Sequence, residues 1–591
     1  MKNKKKLISL YSMIVGTLLV VAGLFSFGVY AALNFNATTN GILNYTDKVC
    51  YIKGETDSDN VYYPTLNSAL ASVTDGGTIC VFKTVSMSAD ITITKNVTIQ
   101  GVYQDSNINM GANSIIVNQG KTLNLGGGDK ILTVTGSKYA NDSGVITNNG
   151  TLNLNLKSKI ENNSTTEPED DFAIGVYNLG SLSVSGATIN SQNGFAIFDA
   201  GNLGVNVSNS STNITGLGAV AIAGSTSKLN ISGGTLVGSY YGIMTNPETS
   251  DEVQNAEVII SGNPIIKGAD FGIMLADVSG KLEIKGSPKI SASGAGNMVA
   301  AIAISNGKDM LLNISGGTFD AEKLDSNPNE NVFSIVAIYS ENSATEYFRI
   351  SGGTFNAPVG ISAIGSSFPT TTPNTISGGT FNKGIVSLYS FGVNITGGKF
   401  IAGPNNAAID VSASNIVVNT GSTVGSINLS SSKLTLKGSP LIEKIITTDK
   451  ATAEDSIMIF IEDSYAPTTK AKIEFPLDGN CNFIAKYTGS NNASASIFDS
   501  SIISATGKYL KTRGFTTTVV DNGGSLKGNI KTYYPSSSTQ SVTIGSNTKT
   551  GSTLTGYTVA WADTTHSATL PTATTSALTI PATAYGNISL T

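Results

Sequence analysis

Ile314-Ser-Gly-Gly-Thr-Phe319 is a phrase the chain repeats: it returns as Ile350-Ser-Gly-Gly-Thr-Phe355, Ile376-Ser-Gly-Gly-Thr-Phe381 and Ile395-Thr-Gly-Gly-Lys-Phe400. Earlier copies are Val184-Ser-Gly-Ala-Thr-Ile189 and Ile231-Ser-Gly-Gly-Thr-Leu236. A longer form carries proline, as in Ile260-Ser-Gly-Asn-Pro-Ile-Ile266, Ile284-Lys-Gly-Ser-Pro-Lys-Ile290 and Leu436-Lys-Gly-Ser-Pro-Leu-Ile442. Counting Val207-Ser-Asn-Ser as a degenerate copy, the steps between 184 and 395 range from 19 residues (376 to 395) to 36 (314 to 350), which excludes a strict short-period solenoid. They suit a coil whose turns swell while its strands keep register. The glycine pair marks a sharp corner, because a backbone at positive φ strongly prefers glycine.

Each copy has a second short apolar strand upstream, such as Gly194-Phe-Ala-Ile-Phe198, Tyr241-Gly-Ile-Met244, Phe271-Gly-Ile-Met-Leu275 and Gly360-Ile-Ser-Ala-Ile364. One coil therefore reads as strand, turn, strand, Gly-Gly turn, strand, with apolar side chains inward and polar ones outward. Stacked coils pair each strand in parallel with its equivalents above and below. Between Thr78 and Ile442 there is room for about 15 coils of roughly 24 residues, a rod of roughly 70 Å. Phe319, Phe355, Phe381 and Phe400 are each five residues from the start of their phrase, so their rings should stack inside the column.

Composition agrees with an all-β chain. Of 591 residues only 13% are charged, with 64 glycines and 16 prolines, and β-branched residues are punctuated by Gly, Asn and Ser. Net charge is −5 and the only arginines are Arg349 and Arg513, a balance that sets nucleic acid aside as a partner.

Tyr63-Pro-Thr-Leu-Asn-Ser-Ala-Leu-Ala-Ser-Val-Thr-Asp-Gly-Gly-Thr-Ile-Cys-Val-Phe82 precedes the repeats. Leu66, Ala69, Leu70 and Val73 share one helical face, Thr65 is placed to cap its N-terminus, and Asp75-Gly76-Gly77 ends it before a strand over Thr78 to Phe82. A short helix leading into stacked coils resembles the right-handed parallel β-helix proteins of the pectin-lyase-like superfamily, over roughly residues 60–445. The resemblance implies a right-handed solenoid whose open end the helix covers. Residues 446–532 lose the Gly-Gly phrase and read as a distal cap or small β domain. Leu554-Thr-Gly-Tyr-Thr-Val-Ala-Trp561 and Leu578-Thr-Ile-Pro-Ala-Thr-Ala-Tyr-Gly-Asn-Ile-Ser-Leu590 resemble the internalin B-type (Listeria–Bacteroides) repeat, so 533–591 is expected to be a small β module. The aromatic-ending strand that usually closes such a module does not follow, which implies a truncated copy. The resemblance implies a bacterial surface protein.

The N-terminus agrees with export. Lys2, Lys4, Lys5 and Lys6 precede an uncharged run from Leu7 to Tyr30, and Val29-Tyr30-Ala31 offers a signal peptidase its small residues. Residues 1–31 read as a signal peptide cleaved after Ala31 or as a retained membrane anchor, since about 20 apolar residues span a bilayer. Membrane contact is expected only through residues 7–30, and 32–59 form a linker and the start of the cap.

Chemistry is sparse. The lone His566 has no triad or metal cluster about it, zinc spacing and calcium loops are lacking, and Gly126-Gly127-Gly128-Asp129-Lys130 is a turn rather than a phosphate loop. No cofactor or metal is expected. Many β-helix proteins cleave polysaccharides, and a glycosidase needs two carboxylates roughly 5–9.5 Å apart. Asp199 and Asp277 fall about three coils apart, too far at roughly 14 Å. Asp171 and Asp199, on neighbouring coils, are the best remaining catalytic pair, but turn positions explain them better. Glu167-Pro168-Glu169-Asp170-Asp171 reads as a solvated loop, and in Leu570-Pro571-Thr572-Ala573-Thr574 the last residue stands where a sortase signal needs glycine. Cys50 and Cys80 flank the capping helix, either joined in a disulfide or buried separately in strands, with Cys481 left free. The expected function is a non-enzymatic extracellular binding or structural protein, adhesin-like, presenting Asn, Ser and Thr rows to glycans or host and matrix components. The alternative is a polysaccharide lyase or glycoside hydrolase on the same scaffold.

Overall fold

A computed structural model describes residues 47–591 with interruptions, the longer ones at 166–171, 246–254, 325–330, 340–346, 366–373, 448–457, 475–483, 488–494, 498–507, 521–530, 534–538 and 545–552. The apolar run 7–30, the acidic stretch Glu167 to Asp171, and Cys481 lie outside the described residues.

The chain is an all-β parallel solenoid with three strand-bearing faces per coil. Face one begins at Gly77–Val81, which pairs in parallel with Val97–Gly101, and the ladder climbs level by level to Met458–Ile461. Face two begins at Val85–Ser86 and face three at Ile91–Ile93, each paired in parallel with the strand one coil on. Faces two and three merge into single bent strands in Thr188–Asp199, Asn213–Ile222 and Thr235–Thr245. The Ile-Ser-Gly-Gly-Thr-Phe phrase makes the corner from face one to face two: Met310–Ile314 closes one, and Thr318–Lys323 opens the other.

Alternation decides which side chains fill the column. Along Val97–Gly101 the burial runs buried, half-buried, buried, so Val97 and Ile99 point in and Thr98 points out. Successive levels repeat the pattern, which joins one continuous apolar core from Cys50 to Ala471. The four phenylalanines stack within it. Phe319 and Phe355 have ring centroids 4.9 Å apart, Phe355 and Phe381 4.5 Å, and Phe381 and Phe400 4.7 Å, their planes nearly parallel. The second glycine of each phrase sits against their edges. Gly353, at φ +102°, would carry a Cβ 3.0 Å from Phe319 Cε2 and 3.3 Å from Phe355 Cζ.

Both ends of face one close the same way, by a strand that reverses direction. At the near end β1 (Cys50–Ile52) runs antiparallel to β3 (Gly77–Val81), and β2 (Val61–Tyr63) runs antiparallel to β1. The helix α1 (Leu66–Ser72) lies over that end, with Leu66, Ala69 and Val73 buried; the Ser68 N–H donates to Thr65 Oγ1 at 3.1 Å, as the capping sequence predicts. At the far end Lys508–Thr512 runs antiparallel to Met458–Ile461, and Ile484–Tyr487 runs antiparallel to Lys508–Thr512.

The boundaries expected at the C-terminal side shift. Parallel pairing continues past residue 445, through Met458–Ile461 and Lys472–Glu474. The final unit starts before residue 533, because Phe515–Val519 pairs antiparallel with Lys531–Tyr533 and parallel with Ile588–Leu590. A separate three-stranded sheet joins Gln540–Thr543, Thr572–Ala573 and Ala577–Ile580. Phe515, Tyr533, Leu578, Ile580, Ile588 and Leu590 form a core of their own there.

Candidate functional site

Asn-x-Gly, or its aspartate equivalent, turns the chain from face three back to face one: Asn148-Asn149-Gly150, Asn178-Leu179-Gly180 and Asp199-Ala200-Gly201. The first side chain of each points inward. Asn148 Nδ2 donates to Asn178 Oδ1 at 2.7 Å, and Asn178 Nδ2 donates to Asp199 Oδ1 at 2.7 Å. The glycines stack so tightly that a Cβ on Gly180 would collide with the carbonyl oxygen of Gly150. Asp199 ends this ladder at 1% exposure, and its Oδ2 has no hydrogen-bond partner among the described residues. Burial pushes its carboxyl up to about 7, against the smaller opposing effects of the Asn178 and Gly201 hydrogen bonds. Asp199 thus stands at a turn, with its side chain inside the column, where the ladder supplies a donor and water is excluded. Asp171, its suggested companion, lies outside the described residues.

Of the two readings open for Cys50 and Cys80, the structure has them buried separately in strands. Cys50 is registered opposite Val81 and Tyr51 opposite Cys80, so the two cysteines are one residue out of step. Adjacent positions on paired strands point to opposite faces. Cys50 faces the column and Cys80 packs outside it with Tyr51 and Val102, both thiols free. Cys50 donates to the Thr65 carbonyl at 3.7 Å, and burial, then the nearby Cys80, pushes its thiol up to about 12.

The polar rows expected on the outside are present. On face one Thr98, Asn124 and Asn153 are in register, with Asn124 Nδ2 donating to Thr98 Oγ1 at 3.2 Å and Asn153 Nδ2 to Asn124 Oδ1 at 2.7 Å. On face two Asn382 donates to Asn356 and Asn356 to Asp320, at 2.8 and 2.6 Å. These groups spend much of their hydrogen-bonding capacity on one another, stitching levels together.

Face three departs from the inward-apolar rule. Its inward row is Val176, Ile197, Val220, Ile243, Ile273 and onward. Two further rows point outward and are also apolar. One aligns Ile174, Phe195, Gly218, Tyr241, Phe271, Ala300 and Phe333. The other aligns Tyr177, Phe198, Ala221, Met244, Met274 and Ala303. Rings interleave along them: Tyr177 stacks on Phe198 at 5.6 Å, Phe195 meets Phe198 edge-on at 5.7 Å, and Tyr241 stacks on Phe271 at 6.0 Å and 3°. Phe195 lies over Gly218, whose added Cβ would come 2.7 Å from the ring. Phe195 and Phe198 are buried, Tyr177, Tyr241, Phe271 and Phe333 half-buried, and Tyr240 beside them is 50% exposed. The result is an aromatic track on the outside of the solenoid. Sequence reading missed it by assuming alternation; the consecutive apolar residues of Phe195-Ala-Ile-Phe198 were the available signal, since a strand apolar at both parities is covered on both sides.

Among the described residues no helix is long and apolar enough to cross a membrane, and no group of three or more His, Cys, Asp or Glu is placed to hold a metal ion. Compared with family models, curated proteins and solved structures, the chain matches none.

Proposed function

We propose that the protein is a non-enzymatic extracellular binding protein of the bacterial surface, with an adhesin-like or stalk-like body that engages glycans along the aromatic track of face three. The observation that carries this reading is the set of outward, half-buried rings at Tyr177, Tyr241 and Phe271, carried by two adjacent rows of face three. A sugar ring has apolar C–H faces and hydroxyl edges, so stacking on half-buried aromatic faces with polar side chains alongside suits it. The two-sided apolar strands extend over several levels, as a polymer-binding surface requires. The export features of residues 1–31 and the B-type repeat resemblance of the C-terminal unit support an extracellular place. The burial of Asp199 supports binding over cleavage, because a general acid must reach the scissile oxygen. A glycan and matrix array probed with the whole chain tests the reading. Binding to one or more glycans that falls at least tenfold in Tyr241→Ala and Phe271→Ala supports it. Glycan cleavage, or binding unaffected by both changes, overturns it.

A further inference from the structure

An open groove of about 610 Å³ lies at the corner after face three, lined by Asn118, Gln119, Asn149 and Leu179. Its walls come from three successive levels: the Asn149 N–H donates to the Val117 carbonyl and the Leu179 N–H to the Asn148 carbonyl, so each residue stands one coil above the last. Gly150 lets the backbones approach beneath it, where a side chain would strike the carbonyl oxygens of Asn118 and Lys121. The carboxamides here differ from their neighbours. Those of Asn124, Asn148, Asn153 and Asn178 are engaged in hydrogen bonds within the chain. Those of Asn118, Gln119 and Asn149 have no partner among the described residues and face the groove. Leu179, 43% exposed, gives it an apolar wall.

The groove joins the aromatic track. Tyr177 faces outward near the end of the strand Ala173–Asn178, and Leu179, exposed in the corner just beyond it, follows two residues later, within about 7 Å along the chain. From Leu179 the surface runs onto Tyr177, which stacks on the buried Phe198 one level up, and the half-buried rings of Tyr241 and Phe271 follow from two levels above Phe198 in the neighbouring row. The groove's own lining is uncharged, and along the track Asp270 immediately precedes Phe271 and puts a carboxylate beside the rings.

We infer that the Asn118–Gln119–Asn149 groove is a polar subsite continuous with the aromatic track, and that together they hold one neutral polysaccharide lying along the solenoid axis. Each carboxamide offers both a donor and an acceptor, the pairing that hydroxyl and acetamido groups require. The carboxylate of Asp270 beside the rings, with no guanidinium or ammonium group among the described residues lining the groove, opposes a polyuronate chain. The inference rests on the glycan-binding reading and specifies its ligand class and orientation.

Titration of the whole chain with cellohexaose, a hexamer of N-acetylglucosamine and a hexamer of galacturonate tests it. At least one neutral hexamer should bind more tightly than its trimer, and the galacturonate hexamer should not bind. Asn149→Ala and Gln119→Ala should each weaken neutral binding by about tenfold per lost pair of hydrogen bonds, with melting unchanged because these side chains support no other part of the described chain. Galacturonate binding as strong as neutral binding overturns the inference and leaves the glycan-binding reading standing. So does neutral binding that depends on Tyr241 and Phe271 but not on Asn149 or Gln119. Failure of all three hexamers, and of longer polymers of the same sugars, overturns both.

Discussion

The ring of Phe355 lies 4.5 Å from that of Phe381, their planes 5° apart, although 26 residues of chain separate them. Parallel pairing of Thr354-Phe355 with Thr380-Phe381 brings them together, and each ring excludes any register but its own.

Removing one ring should therefore act on its neighbours as well as on its own level. Phe355→Ala is expected to cost about 3–5 kcal/mol through lost burial and the cavity left. Phe355→Asp should cost more, since it adds an unpaired buried charge. Hydrogen exchange is the telling measurement: protection should fall first at the levels of Phe319 and Phe381, not at the cap near Leu66. Uniform loss along the chain would contradict a column stabilised by nearest neighbours.

Gly353→Ala tests the corner independently of the rings. The backbone is at φ +102°, and the new Cβ would press on Phe319 and Phe355. Destabilisation well beyond the roughly 1 kcal/mol of an ordinary glycine change is expected in chemical denaturation, with Gly111→Ala, which meets nothing within 4 Å, costing less.

Asp199 should make stability fall as pH rises. Its carboxyl moves from an ordinary value of 3.8 to about 7 in the folded chain, so the native state holds a proton that the unfolded chain has released. The stabilisation of the neutral form is complete below about pH 4 and is lost progressively up to about pH 7, on the order of 4 kcal/mol at most. In Asp199→Asn, thermal melting between pH 5 and pH 8 should lose this downward component, and the variant should be the more stable protein at pH 8. An unchanged slope would show that the carboxyl is not the group responsible.

Cys50 and Cys80 should both titrate as thiols after denaturation without reductant. In the native chain Cys50 should resist alkylation at pH 8, because its thiol is buried and raised to about 12. Non-reducing peptide mapping that joins the two cysteines would contradict the one-residue offset between their strands.

The coil, its corner glycines, the stacked phenylalanines and the capping helix were all legible in the sequence, because each leaves a local mark: a Gly pair at fixed distance from an apolar residue, or Thr65 three residues before Ser68. The candidate site was less legible. Outward rings on face three look like core residues until register separates Phe195 and Phe198 from Ile197. The Asn-x-Gly corners were visible as Asn148-Asn149-Gly150 and Asn178-Leu179-Gly180, but their irregular spacing hid them among many asparagines. Which carboxamide points into the column and which into the groove depends on a turn, not on residue type. The choice between a bridge and two separate cysteines stayed open in the sequence for the same reason, since 30 residues of spacing say nothing about strand parity.

The antiparallel strands at the two ends of face one have a consequence for reach. A solenoid whose last parallel strand was left unpaired would offer a template for another copy, and its length would depend on how many copies joined. Here Cys50–Ile52 and Lys508–Thr512 stop the ladder in both directions, so the number of coils is written in the gene. Duplicating or deleting a whole coil between them would lengthen or shorten the rod by about 4.8 Å without redesigning either end. The length of the solenoid is then a quantity that recombination within the repeat can tune by itself.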